Sequence, residues 1–477
     1  MVIPPLDLMW LLIETPASPT HVGAFMVFRK PTNRPKLVSE IVAAYRSHRP
    51  VPPFNYIAEL TATAVPRFRE AQTYDPRYHV QHLALPEGST YDDALCLVAD
   101  LHEPMLDRDR PLFRTWVIDG LPDGHFALYT KMHHAIIDGV SAARRIQASL
   151  AGSPGRHIPP PPFASKGPPR TARPSRALAE RIARLGTLAK TQGLALGDLS
   201  LGTLRKHLFD LFEPNPAGSL PFMAHAAPMN APLHMARSYG TLTLPFGAMR
   251  GVAKHFGVTL NDLSVTIVDA AVHRYLHATG RAFPHRLIGM LPMSLREEGD
   301  HDGGTKASAM FAPLGESEVG VVERMEQVRA SVAIAKDELR SMSKDAAMLY
   351  GIAALGLAEL ASMTRVGRVT RPLANLVISN VPGGRDAGYI AAAQLVGMFP
   401  ISAIAAGVGL NVTLTSGHDR MDFGFVGDGI TMPDMPRLAD LTRTAFEELL
   451  AAASGSHRET RVAKRSRRRV AGTRHST

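Results

Sequence analysis

The stretch that decides the fold runs from residue 126 to residue 146 and reads FALYTKMHHAIIDGVSAARRI. Residues 126–132 form an apolar run that predicts a buried strand, and residues 140–146 have the pattern of a helix start. Between them lie two histidines, His133 and His134, followed by Asp138 and Gly139. A histidine at a strand end, near an aspartate and a glycine that allows close approach, is well placed for proton transfer.

The spacing leaves three interpretations of the two histidines open. Either residue could be a hydrogen-bonded core histidine or a general base. A metal site is the third interpretation, but adjacent strand residues point to opposite faces, which argues against one ion shared by His133 and His134. We therefore expect one histidine to face the site and the other to support the turn.

Length and composition predict a globular protein of two domains. The chain has 477 residues, of which 45% are hydrophobic and 20% charged, and this length exceeds that of one ordinary core. A single cysteine excludes intrachain disulfides and cysteine-cluster metal sites, and it fits a reducing cytoplasm.

The net charge of +10 is concentrated at the C-terminus. Residues 458–477 contain eight Lys or Arg and one Glu. We predict a disordered basic tail over 456–477. The tail lacks the aromatics and folded motif of nucleic-acid binding, so no nucleic-acid partner is expected. Contact with anionic lipid is the functional interpretation, and a solubilising tail is the simpler one.

No signal peptide is expected, since the N-terminus lacks basic residues and Pro4-Pro5 interrupts its apolar start. The uncharged stretch 387–417 contains Gln394, Pro400 and Asn411, which favour strands and turns over a membrane helix. The predicted location is the cytoplasm, with peripheral contact at a membrane as an option.

Four segments follow from the patterns along the chain. Residues 1–150 and 231–455 each alternate strands and helices, residues 151–230 form a proline-rich basic connector with helices such as 204–212, and 456–477 is the tail. In the second half, a helix over 263–279 is predicted with Asn261 or Asp262 as its cap. Residues 410–415 and 421–426 predict a hairpin.

Other chemical motifs receive no support. His273 and His277 lie one helical turn apart, but no third ligand of matching context follows, and a surface helix face is expected. The order of residues around Ser141 does not match a nucleophile elbow. Gly407-Val408-Gly409 lacks the third glycine of a phosphate-binding loop.

Taken together, several segments resemble the bacterial wax ester synthase/diacylglycerol acyltransferases. This family is part of the coenzyme A-dependent acyltransferase superfamily, which includes chloramphenicol acetyltransferase and condensation domains. The resemblance is carried by Pro5-Leu6-Asp7, residues 19–23, 106–113 and 133–139, Asn261-Asp262, residues 292–296 and 379–383, and Pro433-Asp434. It implies an α/β fold with mixed sheets, built as two chloramphenicol acetyltransferase-like domains with the active site at their interface.

The resemblance also implies roles for individual residues. His134 would be the general base, while His133 and Gly139 would support the turn. Asn261 is the candidate donor to the oxyanion, although helix capping would explain that residue equally well. Asp138 would pair with an arginine, for which Arg296 and Arg114 are the candidates. Ser379 and Asn380, in the segment 379–383, are candidates for substrate binding or structural support.

The implied reaction is acyl-CoA-dependent esterification of diacylglycerol to triacylglycerol, or of a long-chain alcohol to a wax ester. Acyl-CoA would enter as a substrate, with no metal and no resident cofactor. A condensation-type reaction on carrier-bound substrates and a non-catalytic lipid-surface-binding protein are the alternatives. Phe113, Gly304-Thr305 and Gly417 depart from the family pattern and bear on substrate preference.

Overall fold

Two six-stranded sheets form the frame of the molecule. The computed structural model describes residues 1–60, 65–165, 221–294, 307–342, 371–384 and 386–472, together with residues 347, 350, 351, 354, 356 and 358. Part of the predicted connector, with the helix at 204–212, and the positions Arg296 and Gly304-Thr305 lie outside these residues.

The first half of the chain supplies five helices and six strands. The helices are α1 (Pro5–Ile13), α2 (Leu37–Ser47), α3 (Pro76–His79), α4 (Tyr91–His102) and α5 (Gly139–Ala148). The strands are β1 (His21–Arg29), β2 (Tyr56–Glu59), β3 (Arg67–Glu70), β4 (Val80–Ala84), β5 (Phe113–Leu121) and β6 (His125–His133). The strand 126–132 and the helix from residue 140 are therefore confirmed, each with slightly wider bounds.

The second half supplies four described helices and eight strands. The helices are α6 (Phe246–Phe256), α7 (Leu260–Thr279), α8 (Val321–Ser341) and α9 (Met435–Gly472). The strands are β7 (Arg237–Pro245), β8 (Arg286–Ser294), β9 (Ala307–Glu316), β10 (Leu376–Val381), β11 (Tyr389–Ile390), β12 (Ala393–Ile401), β13 (Leu410–Ser416) and β14 (Arg420–Asp428). Short 3₁₀ turns occupy Pro122–Gly124 and Pro228–Asn230.

Each sheet combines parallel and antiparallel pairs, so the predicted mixed α/β fold is confirmed. The first sheet has the order β11-β12-β1-β6-β5-β4, and the second has the order β7-β14-β13-β10-β8-β9. Strands β2 and β3 pair separately. The predicted hairpin is the antiparallel pair of β13 and β14.

The second half of the chain contributes two strands, β11 and β12, to the first sheet. Strand β12 comes from the second half of the chain, yet it pairs antiparallel with β1, with Gly23 opposite Ile401. The crossing is tight, because a Cβ atom on Gly424 of β14 would stand 1.8 Å from the carbonyl oxygen of Pro400. Residues 389–401 are thus an exception to the predicted boundary at residue 231.

The caps of the helices follow from short polar side chains. Thr90 caps α4 in a capping box with Asp93, whose side chain accepts the Thr90 N–H at 2.7 Å. Helix α7 starts in the same way, with Thr259 as its N-cap and Asp262 as the third helical residue. The prediction of Asn261 or Asp262 as the cap was therefore wrong, because the threonine three residues before Asp262 completes the box.

Two further predictions differ from the structure. Helix α9 continues to Gly472, where a disordered tail from residue 456 was predicted; an established helix extends readily through Ala, Arg and Lys. His273 is buried rather than on a surface face: its Nδ1 lies 3.0 Å from the carbonyl oxygen of Asp269 and 3.0 Å from the Arg324 guanidinium. Among the described residues, no helix is long and apolar enough to span a membrane.

Candidate active site

A cavity of ≈ 360 Å³ lies between the two sheets and is walled by both halves of the chain. From the first half, its wall includes His134, Asp138, Gly139 and parts of α1, β1 and α5. The second half adds β10, including Ser379 and Asn380, the crossover strand β12 and one face of β13. Apolar side chains form most of the wall, with a few polar groups between them, which is the usual make-up of a small-molecule site.

His134 follows directly after β6 and turns its ring toward this cavity. Its backbone N–H donates to the Thr20 carbonyl at 2.9 Å, which fixes the start of the turn. The indole of Trp10 stacks on the imidazole, with ring centroids 4.2 Å apart and an interplanar angle of 26°. Within the described part of the chain, Nδ1 is buried without a hydrogen-bond partner on another residue. The backbone carbonyl of His134 itself acts on the ring, and only Nδ1 is close enough to it, so Nε2 is left to meet a ligand.

Burial lowers the pKa of His134 to about 4. The nearby Asp138 carboxylate and the backbone carbonyl of His134 itself act in the opposite direction, and the His133 ring lowers the pKa further. Desolvation disfavours the charged imidazolium because the apolar wall and the indole exclude water. The imidazole is consequently neutral at physiological pH, which is the form that accepts a proton.

His133 occupies a different environment behind the cavity wall. It is fully buried, and its Nδ1 accepts the N–H of Ala135 at 3.0 Å. Nε2 must then carry the proton, and it lies 3.3 Å from the Thr20 hydroxyl and 3.4 Å from the Glu14 carboxylate. His133 is thus committed to holding the turn against α1 and β1, as the resemblance implied.

Glu14 anchors the end of α1 beside the two histidines. Its carboxylate accepts the N–H of Thr20 at 3.2 Å and the Arg108 guanidinium at 2.8 Å. Burial alone would raise the pKa of Glu14, but the hydrogen bonds and charges of His133 and Arg108 outweigh it and hold the pKa below its ordinary value. This network fixes the helix that carries Trp10.

Asp138 caps the N-terminus of α5, accepting the N–H of Ser141 at 2.7 Å. Arg114 was a candidate partner, but its guanidinium lies over the rings of Tyr78 and Trp116, at 4.7 and 4.6 Å from their centroids. Arg114 is therefore engaged with these rings rather than with Asp138. The other candidate, Arg296, lies outside the described residues.

Gly139 brings the two halves together at the start of α5. A Cβ at this position would lie 3.6 Å from the Val381 methyl on β10. This close approach joins the turn after His134 to the second sheet.

Asn261 is not brought to the site. It lies in the first turn of α7, and the wall around His134 does not include it. The resemblance placed it near the reaction, but among the described residues that line the cavity Asn261 does not appear. Ser379 and Asn380, in contrast, do line the cavity with His134.

Sequence reasoning missed three groups of this site. Trp10 and Glu14 belong to a short apolar helix with no spacing signal toward residue 134. The polar face of β13 was also missed, although it is visible in the sequence as Asn411, Thr413 and Thr415 alternating with apolar residues. Such alternation indicates a strand with one polar face.

Comparisons with known proteins agree with this arrangement. The family model of the wax ester synthase/diacylglycerol acyltransferase catalytic domain matches residues 3–264, and that of the WS/DGAT C-terminal domain matches residues 303–450. A Mycobacterium tuberculosis relative that bears the name 'Probable diacyglycerol O-acyltransferase Tgs4' is 31% identical over 94% of this chain and 96% of its own length. A Mycobacterium bovis relative with the name 'Putative diacyglycerol O-acyltransferase Mb0919' is 32% identical over 98% of this chain and 93% of its own.

Solved structures extend the comparison to the fold. The wax ester synthase/diacylglycerol acyltransferase of Marinobacter aquaeolei VT8 superposes with a TM-score of 0.75 and 26% identity, covering 95% of this chain and 100% of that one. The first condensation domain of the calcium-dependent antibiotic synthetase matches with a TM-score of 0.54 at 15% identity, over 94% of this chain and 95% of that one, and shares the fold alone. The cavity, the histidine turn and these matches lead to one conclusion: the chain belongs to the wax ester synthase/diacylglycerol acyltransferase family and is an acyltransferase.

Proposed function

We propose that this protein transfers the acyl group of a long-chain acyl-CoA to the hydroxyl of diacylglycerol, giving triacylglycerol, and that long-chain alcohols serve as further acceptors and give wax esters. The observation that carries the proposal is the neutral His134 imidazole at the wall of an apolar cavity. Acyl-CoA enters as a substrate, and the proposed reaction requires no resident cofactor.

His134 is proposed as the general base. An alcohol is a weak nucleophile at neutral pH, so its proton must leave as its oxygen attacks the thioester carbonyl. Nε2 of His134 accepts this proton, since Nδ1 lies against the backbone carbonyl of His134 itself. The imidazolium then returns the proton to the sulfur of the departing coenzyme A.

The surroundings of His134 support this role. Asp138 lies four residues further on, and its charge favours the imidazolium that forms during the reaction. Trp10 holds the imidazole plane by stacking on it. A fixed ring orientation reduces the entropy lost when the reacting groups are brought together.

The lining of the cavity supports a lipid acceptor. Side chains such as Met132, Met290 and Ile404 offer apolar surface from both halves. Burying acyl-chain methylenes against such surface contributes about 0.8 kcal/mol each. We further propose that the protein works in the cytoplasm, at the surface of an anionic membrane or a lipid droplet.

The proposal is tested by release of free coenzyme A from palmitoyl-CoA with dioleoylglycerol or hexadecanol as acceptor, with the ester product identified by mass spectrometry. We expect His134→Ala to lower kcat by about 10²–10⁴-fold, the usual contribution of a general base. His125→Ala, at the opposite end of β6, is the matched control and should retain the activity.

Two outcomes would contradict the proposal. A wild-type protein that releases no coenzyme A with either acceptor would point to a carrier-bound substrate or to a non-catalytic lipid-binding role. Equal rates for wild type and His134→Ala would show that His134 is not the general base.

A further inference from the structure

The inner face of β13 presents three polar side chains to the cavity. Asn411, Thr413 and Thr415 alternate along the strand and all lie in the cavity wall, while Leu410, Val412 and Leu414 between them lie in the core of the second half. This alternation follows from the two-residue period of a strand. The cavity wall is mostly apolar, so the hydrogen-bond partner of each of these three polar groups has to be identified.

Two of the three are fully occupied by the protein. Asn411 donates to the Ala403 carbonyl at 2.9 Å and accepts the Thr413 hydroxyl at 2.9 Å. Thr413 also lies 2.7 Å from the Ser402 hydroxyl. These contacts tie β13 to the segment after β12, so they have a structural explanation.

No contact within the protein explains why Thr415 carries a hydroxyl. The residue is 1% exposed, and its hydroxyl has no hydrogen-bond partner in the described part of the chain. An unpaired buried hydroxyl costs about 1–3 kcal/mol relative to a paired one. Such a group is retained at a cost to the fold, and a ligand bound during the reaction would account for it.

The strand register places Thr415 near the histidine turn. Thr415 is opposite Val381 in the parallel pair of β10 and β13. Val381 in turn lies close to Gly139: a methyl group of Val381 is 3.6 Å from the position that a Cβ atom on Gly139 would take. One strand therefore separates Thr415 from the start of α5, which follows directly on the turn of His134 and Asp138.

We propose that the hydroxyl of Thr415 donates a hydrogen bond to the oxyanion that forms when the acceptor alcohol attacks the thioester. This inference rests on the proposed function. The alcohol oxygen bonds to the carbonyl carbon, its proton passes to Nε2 of His134, and the carbonyl π pair moves onto the oxygen. When the carbonyl re-forms, the carbon–sulfur bond breaks and the sulfur takes the proton back from His134.

Other polar groups of the wall fit this task less well. Asn380 is exposed and Ser379 half-buried, so water already solvates them, whereas an effective oxyanion donor is held ready in a dry site. The Trp10 indole N–H is also unpartnered. Because the indole is stacked on the imidazole at 26° and 4.2 Å, its N–H runs nearly parallel to the imidazole plane, and the variant Trp10→Phe tests it as the alternative donor.

The test compares four variants in the coenzyme A release assay, together with urea unfolding. Thr415→Val removes only the hydroxyl and should lower kcat about 10²–10³-fold, as loss of an oxyanion donor does, with KM for palmitoyl-CoA unchanged. Thr415→Ser keeps a hydroxyl and should retain most of kcat. Thr415→Val should not lower the free energy of unfolding, because the lost group has no partner.

Thr115→Val is the matched control on β5. Its buried hydroxyl lies 3.2 Å from that of Thr130, so its removal should lower stability and leave kcat unchanged. If Thr415 had only a structural role, Thr415→Val would likewise lower stability and leave kcat unchanged. The proposal predicts the opposite, a lower kcat with unchanged stability.

Two outcomes would overturn the inference. Thr415→Val could keep the wild-type kcat, in which case a loss of kcat in Trp10→Phe would identify the indole N–H as the donor, or Thr415→Ser could lose as much kcat as Thr415→Val. In each case the wild-type rate and the His134→Ala result still stand, so the proposed function is judged separately. A wild-type protein that transfers no acyl group would contradict both the proposed function and the inference about Thr415.

Discussion

At the scale of single residues, the two neighbouring histidines differ because their hydrogen-bond partners differ. His133 uses both ring nitrogens on Ala135, Thr20 and Glu14. His134 has only an aromatic ring against it and a cavity in front of it. The alternation of side chains along a strand predicted this division, and the structure shows which residue takes which side.

Trp10 covers one face of the His134 imidazole and so takes part in its desolvation. We predict that Trp10→Ala raises the pKa of His134 from about 4 toward its ordinary value of 6.5, because water then reaches the imidazole. Since only the neutral ring accepts a proton, activity is lost as the pH falls through the pKa. The acid limb of kcat/KM should therefore shift to higher pH in the variant.

The measurement is kcat/KM for palmitoyl-CoA between about pH 3 and about pH 8, a range that includes the limb expected near pH 4 in the wild type and the limb at higher pH in the variant. Trp10→Phe is the control, because a phenyl ring still covers the imidazole and should hold the limb at low pH. If the acid limb lies at the same pH in Trp10→Ala and wild type, the indole is not what keeps water from the His134 imidazole.

The residues that sequence alone could not assign lie far from the motif along the chain. The string 133–139 identified His134 and Asp138, since its members are neighbours both in sequence and in space. Trp10 and Thr415 reach the same cavity only through the packing of α1 and the register of β13 with β10. Asn261 shows the converse: it lies next to the residues that cap α7, Thr259 and Asp262, and is not among the residues that line the cavity.

At the scale of secondary-structure elements, local patterns predicted most strands and helices to within a few residues. Helix α7 begins at Leu260 and ends at Thr279, where residues 263–279 were predicted. The partner of β12 could not be predicted, because its pairing with β1 joins segments far apart in sequence. Hydrophobic alternation gives the faces of a strand but not its neighbour.

The crossing of β12 and β14 depends on Gly424. We predict that Gly424→Ala lowers the free energy of unfolding by at least about 2 kcal/mol, since overpacking of this kind forces the backbone apart. The methyl group would meet the Pro400 carbonyl at 1.8 Å. Because Pro400 also lines the cavity, kcat should fall together with stability.

Gly251→Ala is the control for this substitution. Gly251 lies within α6, and a Cβ there would meet nothing within 4 Å. Alanine in a helix interior should raise stability by up to about 1 kcal/mol. Thermal unfolding of both variants checks the prediction, and a similar change in the two would contradict the role of the crossing.

At the scale of the whole molecule, charge is distributed unevenly. Residues 458–477 supply +7 of the formal net charge of +10. Removing them should weaken binding to vesicles that contain phosphatidylglycerol by about tenfold or more, given about 1 kcal/mol per basic side chain at an anionic surface. A chain ending at residue 457 keeps Leu449 and Ala453, which pack in the core.

Co-sedimentation with anionic and with neutral phosphatidylcholine vesicles measures this binding. The difference between the full chain and the shortened one should disappear on neutral vesicles and diminish at high salt. Equal binding of both chains to anionic vesicles would favour the solubilising interpretation of the tail. Acyl transfer to dissolved substrates should persist without the tail, since the cavity lies elsewhere.

The contribution of β11 and β12 to the first sheet has a consequence for any attempt to divide this protein. In a fragment that ends before β11, strand β1 would become the edge of its sheet, with eight of its nine residues buried in the full chain and apolar for the most part. A long apolar edge with open backbone groups is a template for aggregation. The first half should therefore be insoluble when expressed alone and recover when residues 221–477 are co-expressed, so that the two halves behave as complementing fragments rather than as autonomous modules.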